Sequence, residues 1–260
     1  MSEQFTLVQI TDCHLFADKF GLHHQVNVYQ NLINVLNNIK KLSQVDVIVF
    51  TGDLTQDHSE SSYQLFVQAF KQCEITIPVY YIAGNHDEPV LLDLYLSSPP
   101  FCQKKMIETP YWQILLMASK SETPSGEIST EQFKQQAKGI NTKKSQLLLM
   151  HHHPKDVGFF IDQHGLVNKT QFHEFVERSE SIVAVGCGHV HQALTLKLTE
   201  RKDQHTGLLT KNTVALYTCP ATSIQFDVNS KTAKSNGQGA GFRRFILKEN
   251  KQFSTEVFFV

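Results

Sequence analysis

FTLVQITDCH, residues 5–14, sets the pattern for the chain: a strand-length apolar run passes straight into a polar cluster holding an aspartate and a histidine. The arrangement recurs. VDVIVF (45–50) leads into TGDLTQD, PVYYIA (78–83) into GNHDE, QLLLM (146–150) into HHHP, and SIVAVGC (181–187) into GHVH. Short apolar runs bounded by turn-forming residues read as buried central strands, and YWQILLMA (111–118) is one more. Helix-type spacing lies between them. Residues 28–42 place Val28, Leu32, Val35, Leu36 and Ile39 on one face, and residues 63–70 follow the cap-type Asp57 and Ser59. The alternation is β-α-β.

After Gly188 the pattern changes to short runs, ALTLKL, VALYTC, SIQFDV, FRRFIL and STEVFFV, which we assign to a second sheet packed on the first. The fold class is therefore α/β, a layered sandwich. The polar segment 121–144 is expected to form a surface helix with loops. No internal repeat, low-complexity run or long linker interrupts the chain, so residues 1–260 are expected to form one domain.

Composition narrows the function. With 41% hydrophobic and 19% charged residues and a formal net charge of -1, the sequence fits neither a disordered chain nor a basic nucleic-acid binder. No apolar stretch approaches the ~18 residues of a membrane span, and no signal-type segment precedes the first strand. The expected location is the cytoplasm, and no C-terminal tail is expected beyond Val260. The five cysteines are odd in number and never spaced C-x-x-C, so reduced thiols are expected rather than a disulfide framework or a zinc knot. The 13 histidines stand out because many adjoin other histidines, aspartates or glycines. That clustering asks for metal chemistry.

The C-terminal ends of buried strands are where side chains of an α/β sheet emerge on rigid supports. Asp12 and His14 lie two apart, so extended backbone would aim both at one ion. Taken alone, the pair reads equally as a capping aspartate and a surface histidine. Gly52 allows a sharp turn that throws Asp53 to the sheet edge, and the next cluster presents Asn85 and His86. Isolated Gly-Asp or Gly-Asn turns are ordinary. Repetition after successive buried strands is not, and His189 and His191 repeat the two-apart spacing after SIVAVGC.

In chain order D-x-H, G-D-x-x-x-x-D, G-N-H-D, H-H-x-P and G-H-x-H resemble the blocks of the calcineurin-like metallophosphoesterases, from Val8 to His191. QITDCHLF, TGDLTQD, AGNHDEP, YWQILL, LLLMHHHP, IDQHGL, CGHVHQ and CPATSIQF resemble more closely the bacterial class III cyclic AMP phosphodiesterases, almost end to end. The resemblance implies an αββα sandwich of mixed sheets with flanking helices. It implies that Asp12, His14 and His191 hold one metal, that Asn85, His151 and His189 hold another, and that Asp53 bridges them. His152 and His153 would then face the core or support the ligands. His86 would act on the phosphate or its leaving group, with Asp87 a candidate to fix its tautomer, and His14 and Asn85 would also face substrate. An N,O-rich set of this kind suits iron or manganese, with zinc possible, over calcium or magnesium cages.

The activity implied is hydrolysis of 3',5'-cyclic AMP to AMP by hydroxide held between two divalent ions, the partner being a small cyclic nucleotide. Two alternatives keep the scaffold: another phosphodiester or nucleotide as substrate, or a binding protein without catalysis. Cys13 should be buried rather than metal-bound. His23, His24, His58, His173 and His205 are expected at the surface or in loops, with His164 set apart by its place in IDQHGL. Phe16 and Phe226 are aromatic candidates for stacking a base.

Overall fold

The computed structural model describes residues 4–202 and 209–260, and His205 lies outside them. Chain order runs β1 (Gln4–Ile10), β2 (Leu22–His23), β3 (Val26–Asn27), α1 (Val28–Lys40), β4 (Val47–Phe50), α2 (Glu60–Gln72), β5 (Val79–Tyr81) and α3 (Pro89–Tyr95). It continues with β6 (Phe101–Cys102), β7 (Met106–Glu108), β8 (Trp112–Met117), α4 (Thr130–Gly139), β9 (Ser145–Met150) and a 3₁₀ turn (Phe160–His164). Then come α5 (Lys169–Arg178), β10 (Ile182–Cys187), β11 (Thr195–Lys202), β12 (Leu209–Thr218), β13 (Gly241–Lys248) and β14 (Phe253–Phe259).

Two six-stranded sheets form, ordered β14-β13-β1-β4-β5-β6 and β11-β12-β10-β9-β8-β7. The C-terminal strands do not make a second sheet of their own. β13 pairs antiparallel with β1 and so extends the first sheet, while β11 and β12 extend the second, whose centre is the earlier runs β8, β9 and β10. SIQFDV forms no strand; it is a loop with a single bridge from Phe226 to Ser235. An apolar run alone does not name its neighbour, because pairing depends on contacts distant in sequence.

The uninterrupted apolar runs are explained by burial on both faces. In β1, Leu7 points between the sheets, where it meets Val49, Leu149 and Phe245, while Val8 and Ile10 pack under α1 and α2 with Leu32, Leu36 and Phe66. In the second sheet Leu147 and Leu149 face the first, and Leu148 and Met150 pack under α5 with Phe172 and Val176. The period of two thus builds an αββα sandwich. Truncating a wholly buried leucine of the middle layer, such as Leu149→Ala, would cost roughly 2–5 kcal/mol.

Helix ends follow local chemistry. Asn27 caps α1 by accepting the Gln30 amide at 2.8 Å, and Ser59 caps α2 by accepting the Ser62 amide at 3.2 Å. Asp57 is not the cap. Its carboxylate accepts from Ser59 Oγ and from the Ala17 amide, both at 2.7 Å, and so fixes the loop that leads into α2. α4 occupies the polar segment expected to be a surface helix and has no fully buried residue. β1, β4 and β5 run parallel, as do β8, β9, β10 and β12, so each sheet gathers several strand C-termini at one edge.

Candidate metal centre

The loops at those edges are tied together by main-chain hydrogen bonds. The Asp12 amide donates to Gly52 O at 2.8 Å and the His14 amide to Asp53 O at 3.1 Å, while on the other side the Ser223 amide donates to Asp12 O at 3.0 Å. The loops after β1, β4 and β12 are therefore joined through their backbones. Gly52 adopts φ 101°, and a Cβ there would meet the Gly84 amide nitrogen at 2.2 Å. Only glycine serves at this position.

The two-apart spacing does not work through extended backbone as expected. Asp12, His14, Asp53, His189 and His191 have φ of 56°, 48°, 58°, 66° and 51°, all left-handed. Each such non-glycine residue costs on the order of 1–2 kcal/mol, and such conformations concentrate at functional sites. The strands have ended before these residues, so the loops rather than the pleat aim their side chains.

The side chains converge. Donor atoms of Asp12, His14 and His191 lie within 4.8 Å of one another, as do those of Asp12, Asp53 and His151, and those of His14, Asp53 and His86. His14 Nε2 is 3.2 Å from His191 Nε2 and 3.7 Å from Asp53 Oδ2, and His191 Nε2 is 3.3 Å from Asp12 Oδ1. His151 Nε2 is 3.4 Å from Asp53 Oδ2 and 3.1 Å from Asn85 Oδ1. His189 joins this side through its ring contact with His151 at 5.1 Å and its amide, which donates to Asp12 Oδ2 at 3.0 Å.

Hydrogen positions follow from the partners. His151 Nδ1 donates to Thr51 O at 2.7 Å and His191 Nδ1 to Ile224 O at 2.8 Å, since a carbonyl only accepts. In neutral rings both Nε2 atoms are then lone pairs aimed at carboxylate or amide oxygens. Facing acceptors repel unless a cation lies between them. Buried His14 Nδ1 and His189 Nε2 have no protein partner. The residues present fit a dinuclear divalent metal centre.

Without metal, protons must do the same work. Burial depresses His151, but the Asp53 carboxylate overrides it and pushes the pKa up to about 9. Burial raises Asp53, and His151 and His14 reverse this to hold it well below the usual carboxylate range. His14 and His189 are pushed well below the ordinary imidazole value, chiefly by burial.

Residues 5–193 match the family described as calcineurin-like phosphoesterase. The chain belongs to that family. A probable cyclic nucleotide phosphodiesterase from Colwellia psychrerythraea is 47% identical over 98% of this phosphoesterase and 95% of its own length. The 3',5'-cyclic adenosine monophosphate phosphodiesterase CpdA of Vibrio vulnificus is 31% identical over 96% of this chain and 88% of its own. A dimetal phosphatase from Danio rerio shares the fold at TM-score 0.62 with 12% identity, covering 96% of this chain and 98% of that one.

Beside the donors this phosphoesterase has a cleft of about 390 Å³, bordered by His14, Asp53, Asn85, His86, His189 and His191. Phe160, His164, Phe226 and Lys231 border it too. A larger groove of about 970 Å³ between α4 and α5, near Phe133 and Phe175, contains none of the candidate ligands. Phe226 stacks on His191 at 4.0 Å with 8° between planes, whereas Phe16 packs against the core beneath α1 and α2.

Several participants carried no spacing signal. His23 stacks on His14 at 5.2 Å and 6°, and burial lowers its pKa to about 3. His58 stacks on His86 at 5.5 Å and 3°. His58 is an exposed loop residue, as its sequence context suggests, and His23 is half-buried in β2, yet each ring covers a residue of the site. His152 and His153 are buried and braced by protein groups, His152 Nδ1 by Ser119 Oγ at 2.8 Å and His153 Nε2 by Asp162 Oδ1 at 3.2 Å. Cys13 is wholly buried. Asp87 does not set the His86 tautomer. Its carboxylate instead accepts the Asp53, Leu54 and Gly84 amides at 2.7, 2.8 and 2.8 Å, which joins the two loops, and burial beside Asp53 raises its pKa to about 6. A run such as GNHDE gives no hint of which backbone its carboxylate will reach.

Proposed function

We propose that this phosphoesterase hydrolyses the cyclic phosphodiester of 3',5'-cyclic AMP to AMP. The reaction class is carried by one observation: the Asp12–His14–His191, Asp12–Asp53–His151 and His151–His152–His189 donors converge beside a cleft that also presents Asn85 and His86. The substrate is supported by the names of the relatives at 47% and 31% identity. A volume of about 390 Å³ lies within the range of small-ligand sites, about 300–1,000 Å³.

In this reading Asp12, His14 and His191 hold one ion, Asn85, His151 and His189 the other, and Asp53 faces both. Iron or manganese suits these donors best, with zinc the third candidate. When bound, two such ions polarise the phosphoryl group and make water a nucleophile at neutral pH. The protein groups supply the rest. Thr51 and Ile224 carbonyls hold the His151 and His191 tautomers, and Lys231 brings a cation to the cleft for an anionic substrate. His86 lies beside His14 and Asp53, where its imidazole would stabilise developing charge and protonate the departing ribose oxygen, a role worth about 100-fold or more. Asn85 and His14 would contact substrate as well.

Residues 1–260 are read as one domain because β13 and β14, beyond the matched segment, complete the first sheet. The five free thiols support a cytoplasmic setting. The test is a panel of cyclic AMP, cyclic GMP, a 2',3'-cyclic nucleotide and bis(p-nitrophenyl) phosphate with purified, metal-reconstituted protein. Cyclic AMP should have the highest kcat/KM; a higher value for the 2',3'-cyclic nucleotide or cyclic GMP would overturn the assignment.

A further inference from the structure

His86 lacks the support that usually orients a working imidazole. A ring of this kind is ordinarily aimed by a hydrogen bond to its second nitrogen, yet buried His86 Nδ1 has no protein partner. Its orientation must come from the backbone and from packing. The backbone is held at both ends: the His86 amide donates to Asp53 Oδ1 at 2.8 Å, and the His86 carbonyl accepts from His58 Nδ1 at 2.9 Å. The ring is held on two sides. His14 meets it edge-on at 4.9 Å and 85°, and His58 lies parallel to it at 5.5 Å and 3°.

His58 is itself placed at a cost. Its φ of 59° is left-handed, a conformation that costs a non-glycine residue on the order of 1–2 kcal/mol. Apolar burial does not account for this, because His58 is exposed. Local hydrogen bonds hold it there: Thr55 Oγ1 accepts the His58 amide at 2.9 Å, and the Asp57 carboxylate accepts the amide of the next residue, Ser59, at 3.1 Å. Donation to a carbonyl fixes the hydrogen on His58 Nδ1, so the ring can make the clamp and the stack together.

We propose that His58 is a positioning residue, which fixes the His86 imidazole toward the reacting phosphate by stacking on its ring and clamping its carbonyl. The inference rests on the role proposed above for His86. Loss of the support lets the imidazole swing away from the productive geometry, and misplacement by an ångström can cost as much as about 100-fold in rate.

The test is a double-mutant cycle on metal-reconstituted protein with His58→Ala, His86→Ala and the pair, plus His58→Phe, which keeps a flat ring without the hydrogen bond. Metal content, kcat and KM are read on cyclic AMP and on bis(p-nitrophenyl) phosphate. His58→Ala should lower kcat on cyclic AMP roughly 10-fold or more with both ions and KM retained. It should cost less on the nitrophenyl ester, whose leaving group needs no proton. His58→Phe should recover part of the loss, and His58→Ala should cost nothing further once His86 is alanine. Losses that multiply in the double variant, or loss of metal in His58→Ala, would overturn the proposal. If His86→Ala is impaired while His58→Ala turns over normally, only the positioning role fails. If His86→Ala itself turns over normally, the role of His86 fails first and that of His58 with it.

Discussion

His14 and His191, 177 positions apart in the chain, bring their Nε2 atoms to 3.2 Å of each other, with Asp12 Oδ1 only 3.3 Å from His191. The His191 Nδ1 hydrogen is committed to Ile224 O, so its other nitrogen has no hydrogen to offer unless the ring is charged. A bound cation removes that conflict. Ligands that bind only the folded state stabilise it by about 4 kcal/mol at a thousand times their Kd. Chelation should therefore lower the unfolding temperature in calorimetry, and re-addition of manganese should restore it. An identical midpoint before and after chelation would contradict a metal centre here.

Asp53 faces His14 at 3.7 Å and His151 at 3.4 Å, and in the function proposed above it is the ligand shared by both ions. Asp53→Ala is expected to lower bound metal by at least one ion per chain and to abolish hydrolysis while circular dichroism stays native. Gly84→Ala should reproduce that loss without removing any donor. Its Cβ would lie 2.2 Å from Asp53 Oδ1 and 2.7 Å from His151 Cε1, so the carboxylate and the imidazole must shift apart. Full metal content in both variants, measured by plasma mass spectrometry, would remove Asp53 from the centre.

Among the three consecutive histidines, only His151 has a ring nitrogen facing both Asp53 and Asn85. His153 is turned to Asp162, and His152 has both nitrogens within reach of protein groups, Ser119 Oγ and Pro124 O. His151→Ala should thus empty one metal position far more than His153→Ala. Metal analysis giving the reverse ranking would mean that the loop presents a different histidine.

The metal-free protein should lose stability in acid. Burial lowers His153 to about 4, against 6.5 for the free side chain, although Asp162 pulls the other way. Between those values the unfolded chain binds more protons than the folded one, so stability falls as pH drops from about 6.5 toward 4. This residue alone accounts for up to roughly 3 kcal/mol. His151 has the opposite sign: raised to about 9, it stabilises fully below pH 6.5, and that contribution fades as pH climbs through 9. Urea titrations of chelated protein should show both limbs. His14, His189 and His23 contribute to the acid limb as well, so His153→Gln should make it shallower without removing it, and an unchanged acid limb in that variant would refute the assignment.

Sequence alone determined that buried strands end in Asp12, His14, Asp53, Asn85, His151, His189 and His191, because a strand buried on both faces must be apolar and then stop. It also determined the helices over α1 and α2, whose apolar spacing follows one face and whose caps are local. Which sheet each C-terminal strand joins was decided only in three dimensions: FRRFIL lies beside β1 because Phe245 and Leu247 fill the layer between the sheets. The aim of the donors was decided there too, through left-handed loops zipped across the molecule rather than through the pleat implied by D-x-H. His23 and His58 gave no signal, since a stacked ring is recruited by where two loops meet. Spacing records what one element presents; what faces it from another element depends on how the sheets and their loops pack.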